Sequence, residues 1–144
     1  MPTFRLSENL DKILVVDDNV IIRNSVCRLL KNIIDESEIK YNIIVGNDGI
    51  DTLKIVKEDQ KENNKIKIII TDEFMDFMNG SKSIKIIKEL ESENKIKRIN
   101  IVSLSSSDDD ISRMKYIKSG ADSVITKPCS QYNLCNTLKG FNLI

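Results

Sequence analysis

Short apolar runs recur along the chain at ILVV (Ile13–Val16), Ile43–Val45, Ile66–Thr71, Ile99–Leu104 and SVIT (Ser123–Thr126). They are rich in Ile and Val and do not alternate with polar residues, which is how strands buried on both faces of a parallel sheet read. Segments of helical spacing lie between and after them. Ile22, Val26, Leu29, Leu30 and Ile33 share a face, as do Ile50, Leu53 and Val56, then Ile84, Ile87 and Leu90. The same holds for Ile111, Met114 and Ile117, and for Leu134, Leu138 and Phe141. Each stripe reads as a face packed on a core. Strand then helix, five times over, predicts an α/β domain with right-handed crossovers and helices on both faces of the sheet.

The punctuation agrees. GNDG (Gly46–Gly49) is turn chemistry ahead of the second helix, and SSSDDD (Ser105–Asp110) offers caps for the fourth. The charged stretches Lys57–Lys65 and Glu91–Lys97 read as solvated helix ends. No repeat or long linker divides the chain, so residues 12–144 are expected to form a single domain, with residues 1–11 a loosely held lead-in. At 144 residues, such a domain needs neither disulfide nor structural metal to fold.

Composition narrows the chemistry. Lys+Arg and Asp+Glu stand at 22 each, so there is no basic field for nucleic acid and no polybasic membrane patch. No apolar stretch reaches the roughly 20 residues of a membrane span. Cys27, Cys129 and Cys135 form no CxxC pair and suit a reducing, cytoplasmic setting. The chain has no histidine, which excludes His-based catalysis, imidazole metal ligation and phosphohistidine chemistry within it.

The polar residues gather at one edge. In an open parallel sheet, ligands bind beyond the carboxyl ends of the strands. Asp17 and Asp18 follow the first run, Asp72 ends the third, Ser105 follows the fourth and Lys127 the fifth. A lone Asp at a strand end is ordinarily a cap or turn residue, but four strand ends in register exceed capping. Three carboxylates about 4 Å apart repel by a few kcal/mol per pair in a surface-like dielectric, and so want a cation. All-oxygen ligation suits Mg²⁺. With the Lys127 ammonium and the Ser105 hydroxyl, the set can clamp a phosphoryl group, and a carboxylate oxygen would attack it to give an acyl phosphate.

The ordered motifs ILVVDDN (Ile13–Asn19), TDEFMDFMNG (Thr71–Gly80), IVSLSSS (Ile101–Ser107) and GADSVITKP (Gly120–Pro128) make the chain resemble the receiver domain of two-component response regulators, including receivers fused to hybrid histidine kinases. The resemblance covers about Lys12 to Phe141. It implies a flavodoxin-like, doubly wound fold: a five-stranded parallel sheet in the order 2-1-3-4-5 flanked by five helices, with a cis Lys127–Pro128 bond. It implies that Asp72 is the phosphoacceptor, that Asp18, Asp72 and the backbone carbonyl of Phe74 ligate Mg²⁺ (or Mn²⁺), and that Asp17 acts mainly through bound water. Ser105 would be the switch hydroxyl and Lys127 the phosphoryl-gripping lysine. A receiver has no separate substrate and is not an enzyme in the usual sense. The donor would be a histidine kinase or a histidine phosphotransfer domain, and the fourth helix, fifth strand and fifth helix form a face through which receivers can dimerise. Nothing after Phe141 is long enough for an effector, so no DNA-binding or enzymatic output is expected from this stretch.

Departures from the family pattern sharpen the expectations. Asp76 stands where the loop usually has proline, which predicts a less rigid loop. Val124 stands three residues before the lysine, where Tyr or Phe is usual, so an aromatic rotamer change at that position is not expected. Any response should appear in the Ser105–Asp110 loop and the following helix, with Met114 and Tyr116 as candidate partner contacts. Phe74 and Ser107 border the approach of hydrolytic water, and a phenyl ring there predicts a long-lived phosphorylated form. The segment Ile33–Tyr41 looks like a surface insertion. A haloacid-dehalogenase-type phosphatase would need an Asp two residues beyond its nucleophile, and those positions hold Asn19, Val20 and Phe74. A flavodoxin-like phosphate binder would need a Ser/Thr/Gly-rich loop where the chain has acidic DDNVIIRN. The remaining alternative is a receiver-like interaction module that does not turn over phosphate.

Overall fold

The computed structural model describes residues 10–62, 64–106 and 109–144. Five strands and five helices alternate: β1 (Asp11–Val16), α1 (Val20–Ser37), β2 (Tyr41–Gly46), α2 (Gly49–Glu62), β3 (Ile66–Asp72), α3 (Gly80–Ser92), β4 (Asn100–Ser105), α4 (Asp110–Ser119), β5 (Ser123–Thr126) and α5 (Gln131–Gly140). The sheet order is β2-β1-β3-β4-β5, all parallel, as expected from the resemblance. β1 begins at Asp11, one residue inside the expected lead-in. The chain passes to one side of β1 and then to the other, so the sheet order reverses between β1 and β3. That reversal opens the crevice at the carboxyl ends.

The continuous apolar runs are explained by a core on each face of the sheet. Ile13, Val15, Ile68, Ile70, Val102 and Leu104 meet α1 and α5 on one side, through Val26, Leu30, Leu134 and Leu138. Leu14, Val16, Ile69 and Ile101 meet α2, α3 and α4 on the other, through Val56, Ile84, Ile87 and Tyr116. Successive strand residues serve opposite cores, so the runs do not alternate with polar residues, and the buried Thr71, Ser103 and Ser105 lie toward the carboxyl ends.

Helix starts follow their caps. Asn19 accepts from the amides of Ile21 and Ile22, Asp109 from that of Ser112, and Ser130 from that of Asn133. α1 runs on to Ser37 and ends at Glu38 in the left-handed region. The supposed insertion Ile33–Tyr41 is therefore mostly an extra helical turn.

The expected stripes need correction. Val26, Leu30 and Ile33 are buried as predicted, but Ile22 and Ile50, at the starts of their helices, are exposed. The larger departure is in α4. Ile111, Met114 and Ile117 all face outward, with Ile111 83% exposed, and the only buried residue of that helix is Tyr116. Tyr116 is thus a core residue and not a partner contact. The period of 3.6 located a face, but not which face the sheet would take. In a ten-residue helix, one large ring can outweigh three smaller side chains.

Candidate functional site

The carboxyl ends of β1 and β3 deliver the acids. Asp17 is buried, and Asp18 beside it is exposed. One carboxylate oxygen each from Asp17, Asp18 and Asp72 lies within 4.8 Å of the others. Asp17 Oδ1 accepts from the Asn19 amide at 2.9 Å, while its Oδ2 is buried with no hydrogen-bond partner. Burial, more than the charges of Asp72 and Asp18, pushes the Asp17 carboxyl above its ordinary value, against the Asn19 amide and Lys127, which pull it down. A buried, unsatisfied carboxylate oxygen facing two further acids is the donor set of a hard divalent cation, and Mg²⁺ or Mn²⁺ fits it.

The opposite charge comes from β5. Lys127 Nζ donates to Asp72 Oδ1 at 2.8 Å, and both side chains are largely shielded, at 24% and 13% exposed. The Lys127–Pro128 bond is cis. The Lys127 amide also donates to the Ser105 carbonyl at 2.6 Å, which ties the two strand ends together. Ser105 is buried. The structure therefore brings together Asp17, Asp18, Asp72, Ser105 and Lys127.

The loop after β3 is fixed from two sides. Thr71 Oγ1 donates to the Asp72 carbonyl at 2.9 Å, and the Gly80 amide donates to the Glu73 carbonyl at 2.9 Å. A Cβ at Gly80 would stand 2.2 Å from the Asp72 carbonyl oxygen, so glycine alone allows the start of α3 to close on the acceptor strand. At Asp76, where the family pattern has proline, the backbone amide donates to Asp18 Oδ2 at 3.3 Å. A proline has no such donor. The departure thus adds a hydrogen bond to an acid of the cluster.

Phe74 is 65% exposed, with its ring 6.0 Å from Lys115 Nζ of α4. It is exposed and not packed in a core. Val124 is buried in the same apolar cluster as Tyr116. Ser107 lies outside the described residues.

Tyr116, read from the sequence as a partner contact, is instead buried in one apolar cluster with Val124. Sequence reasoning missed two contributors. Glu73 is buried beside the acceptor and accepts from the Ser81 amide and hydroxyl at 3.3 and 2.8 Å. Gly80 carries the close approach just described. An acid embedded in an apolar loop, and a glycine ending that loop, were the available signals.

A fold with this order and this edge belongs to a known class, and the comparisons agree. The model of the response regulator receiver domain matches residues 13–139. The chain belongs to the response regulator receiver family of two-component and phosphorelay systems. It is 30% identical over 127 residues to hybrid signal transduction histidine kinase A of Dictyostelium discoideum, covering 88% of this chain and 5% of that protein. It is 27% identical over 139 residues to the two-component response regulator ORR3 of Oryza sativa subsp. indica, covering 94% of this chain and 96% of that one. The chain spans about half or less of the first curated relatives it matches. Among solved structures it is similar to the receiver domain of Saccharomyces cerevisiae Ssk1, crystallised with the histidine phosphotransfer protein Ypd1. The TM-score is 0.72 and the identity 24%, with 92% of this chain and 89% of that one covered. Among the described residues no helix is long and apolar enough to cross a membrane.

Proposed function

We propose that the chain is a phosphoacceptor of a His-Asp phosphorelay, taking a phosphoryl group on Asp72 from a phosphohistidine donor. The observation that carries this reading is the placement of Asp72, paired with Lys127 at 2.8 Å on one side and set among the carboxylates of Asp17 and Asp18 on the other. A carboxylate oxygen of Asp72 attacks phosphorus and forms the O–P bond. The P–N bond to the donor imidazole breaks, and its electron pair stays on the imidazole nitrogen. Lys127 holds Asp72 in place and its charge offsets the equatorial oxygens as they pass. The Ser105 hydroxyl can rotate to donate to one of them. Asp17, Asp18, Asp72 and the Phe74 carbonyl would hold Mg²⁺ (or Mn²⁺), which when bound supplies charge neutralisation and orientation.

The chain has no histidine, so the donor is a separate domain. Likeness to a receiver crystallised with Ypd1 supports a histidine phosphotransfer partner, and likeness to a hybrid kinase supports a relay setting. The free thiols of Cys27, Cys129 and Cys135 suit a cytoplasmic setting. Having no separate substrate, the chain assists its own phosphorylation and dephosphorylation and is not a conventional enzyme. Dimerisation through α4, β5 and α5 is a further expectation, open to sedimentation with and without the phosphodonor.

The test is intact mass after incubation with Mg²⁺ and acetyl phosphate. The parent gains one phosphoryl group, and Asp72→Asn gains none because an amide is a poor nucleophile. A parent that gains none, with acetyl phosphate and with phosphorylated transfer protein alike, would make the chain a receiver-like interaction module.

A further inference from the structure

Each acid of the site is held by a different means. Asp72 is paired with Lys127 at 2.8 Å, and Asp17 is buried with one oxygen on the Asn19 amide. Asp18 is exposed. Among the described residues, the one hydrogen bond to its carboxylate comes from the Asp76 amide, at 3.3 Å to Oδ2. Without that donor, an exposed Asp side chain is free to rotate, and the freedom it loses on binding a cation weakens the binding.

The amide stands where it does because the loop that carries it is fastened on its far side. The Met78 amide donates to the Asp76 carbonyl at 2.7 Å, which closes a three-residue turn with Phe77 at its centre in the left-handed region, φ 65°. A phenylalanine keeps that conformation only where its surroundings hold it there. The Met78 carbonyl accepts from the Gly49 amide, at 3.0 Å, at the start of α2. A Cβ at Gly49 would stand 2.7 Å from Met78 Cγ and 2.8 Å from its carbonyl oxygen, so only glycine lets the turn close on α2. Contacts thus run from Gly49 through Met78 and Asp76 to Asp18.

We propose that Asp76 and Gly49 are positioning residues of the cation site: the Asp76 amide orients the Asp18 carboxylate, and the glycine at position 49 sets where that amide stands. This rests on the reading of Asp17, Asp18 and Asp72 as ligands of Mg²⁺. The amide occupies one carboxylate oxygen of Asp18 and leaves the other for a cation, so the two do not compete. Losing such an outer partner of a metal-ligating carboxylate costs about tenfold or more in metal affinity. A receiver with proline at this position has no such donor, so the device belongs to this chain.

The test is a Mg²⁺ titration of the full chain followed by amide NMR shifts, with thermal melting in EDTA as the check on folding. Asp76→Pro and Asp76→Ala both remove the side-chain charge, and only the first removes the amide. Asp76→Pro should therefore bind Mg²⁺ about tenfold more weakly than Asp76→Ala. Gly49→Ala alters no acid, yet should weaken Mg²⁺ binding about threefold to tenfold as the loop is pushed off Asp18. In metal-free Asp18→Ala, the Asp76 amide proton should move upfield as its acceptor is lost. Equal affinities of Asp76→Pro and Asp76→Ala, or an Asp76 amide proton that does not move, overturn the positioning by Asp76. Where Asp76→Pro does not fold, the amide proton decides. Parent-like affinity in Gly49→Ala overturns the part assigned to Gly49. A parent whose spectrum shows no response to Mg²⁺ overturns the metal reading, and the proposal with it.

Discussion

α1 and α4 both start at a cap beside the acidic edge, yet they are held by opposite means. α1 has 18 residues and lays Val26, Leu30 and Ile33 on the sheet. α4 has ten residues and one buried ring, and turns its aliphatic residues outward. A helix fixed by a buried apolar stripe is held along its length. A helix fixed by one buried ring has far less to hold it. The contrast gives the edge a firmly packed wall behind Asp17 and Asp18 and a lightly anchored one after Ser105.

The contrast can be broken by truncation. Leu30→Ala should cost about 2–5 kcal/mol, the cost of emptying a fully buried Leu site, measured by denaturant unfolding. Equal tolerance of Leu30→Ala and an outward α4 substitution would remove the distinction.

The loop between the two walls gives the next largest effects. Gly80→Ala must displace either the Asp72 carbonyl or the start of α3, at about 1–3 kcal/mol, and should slow phosphorylation as well. Phe74, exposed beside α4, should retard hydrolysis of the acyl phosphate. Phe74→Asn is expected to speed decay of the phosphoprotein about tenfold to a hundredfold, or roughly 1.4–2.8 kcal/mol of barrier. Metal affinity should change little, since the ligand expected there is the backbone carbonyl. Timed decay of parent and variant decides it, and equal rates would leave Phe74 without a role in water access.

Asp17 gives a smaller effect with a diagnostic sign. Its folded pKa is raised, chiefly by burial, so the ionised form is disfavoured in the fold. The metal-free protein therefore loses stability as the pH rises from the ordinary carboxylate value through the raised folded one, and keeps it below both. With metal removed by chelator at neutral pH, Asp17→Asn should melt higher, by about 2–4 °C for each kcal/mol recovered. With Mg²⁺ added, the parent should gain more than the variant. The smallest effect belongs to α4: Ile111→Ala should change stability by no more than about 0.5 kcal/mol.

Much of this was legible in the chain. Parallel strands buried on both faces leave unbroken Ile/Val runs, and their carboxyl ends are marked by the first polar residues after each run. That is why Asp17, Asp18, Asp72, Ser105 and Lys127 could be placed on one edge. What was not legible depends on long-range choices. Tyr116 lies one residue from Ile117 and two from Met114, and only packing against β4 and β5 decides which side turns inward. Glu73 reads as one more charge in a loop until its burial is known. The Asp76 amide could be called a donor only once Asp18 was seen beside it. The segment Ile33–Tyr41 misled because its polar residues suit a helix end as well as a loop.

The central claim, that Asp72 carries the phosphoryl group as an acyl phosphate, is tested most directly by reducing the phosphorylated protein with borohydride and mapping its peptides. An acyl phosphate at Asp72 is reduced to homoserine, so the peptide spanning Ile68–Gly80 should contain homoserine at position 72 only after treatment with phosphodonor and Mg²⁺. Homoserine at another acid of the cluster, or none in a protein whose mass shows a phosphoryl group, would contradict the account.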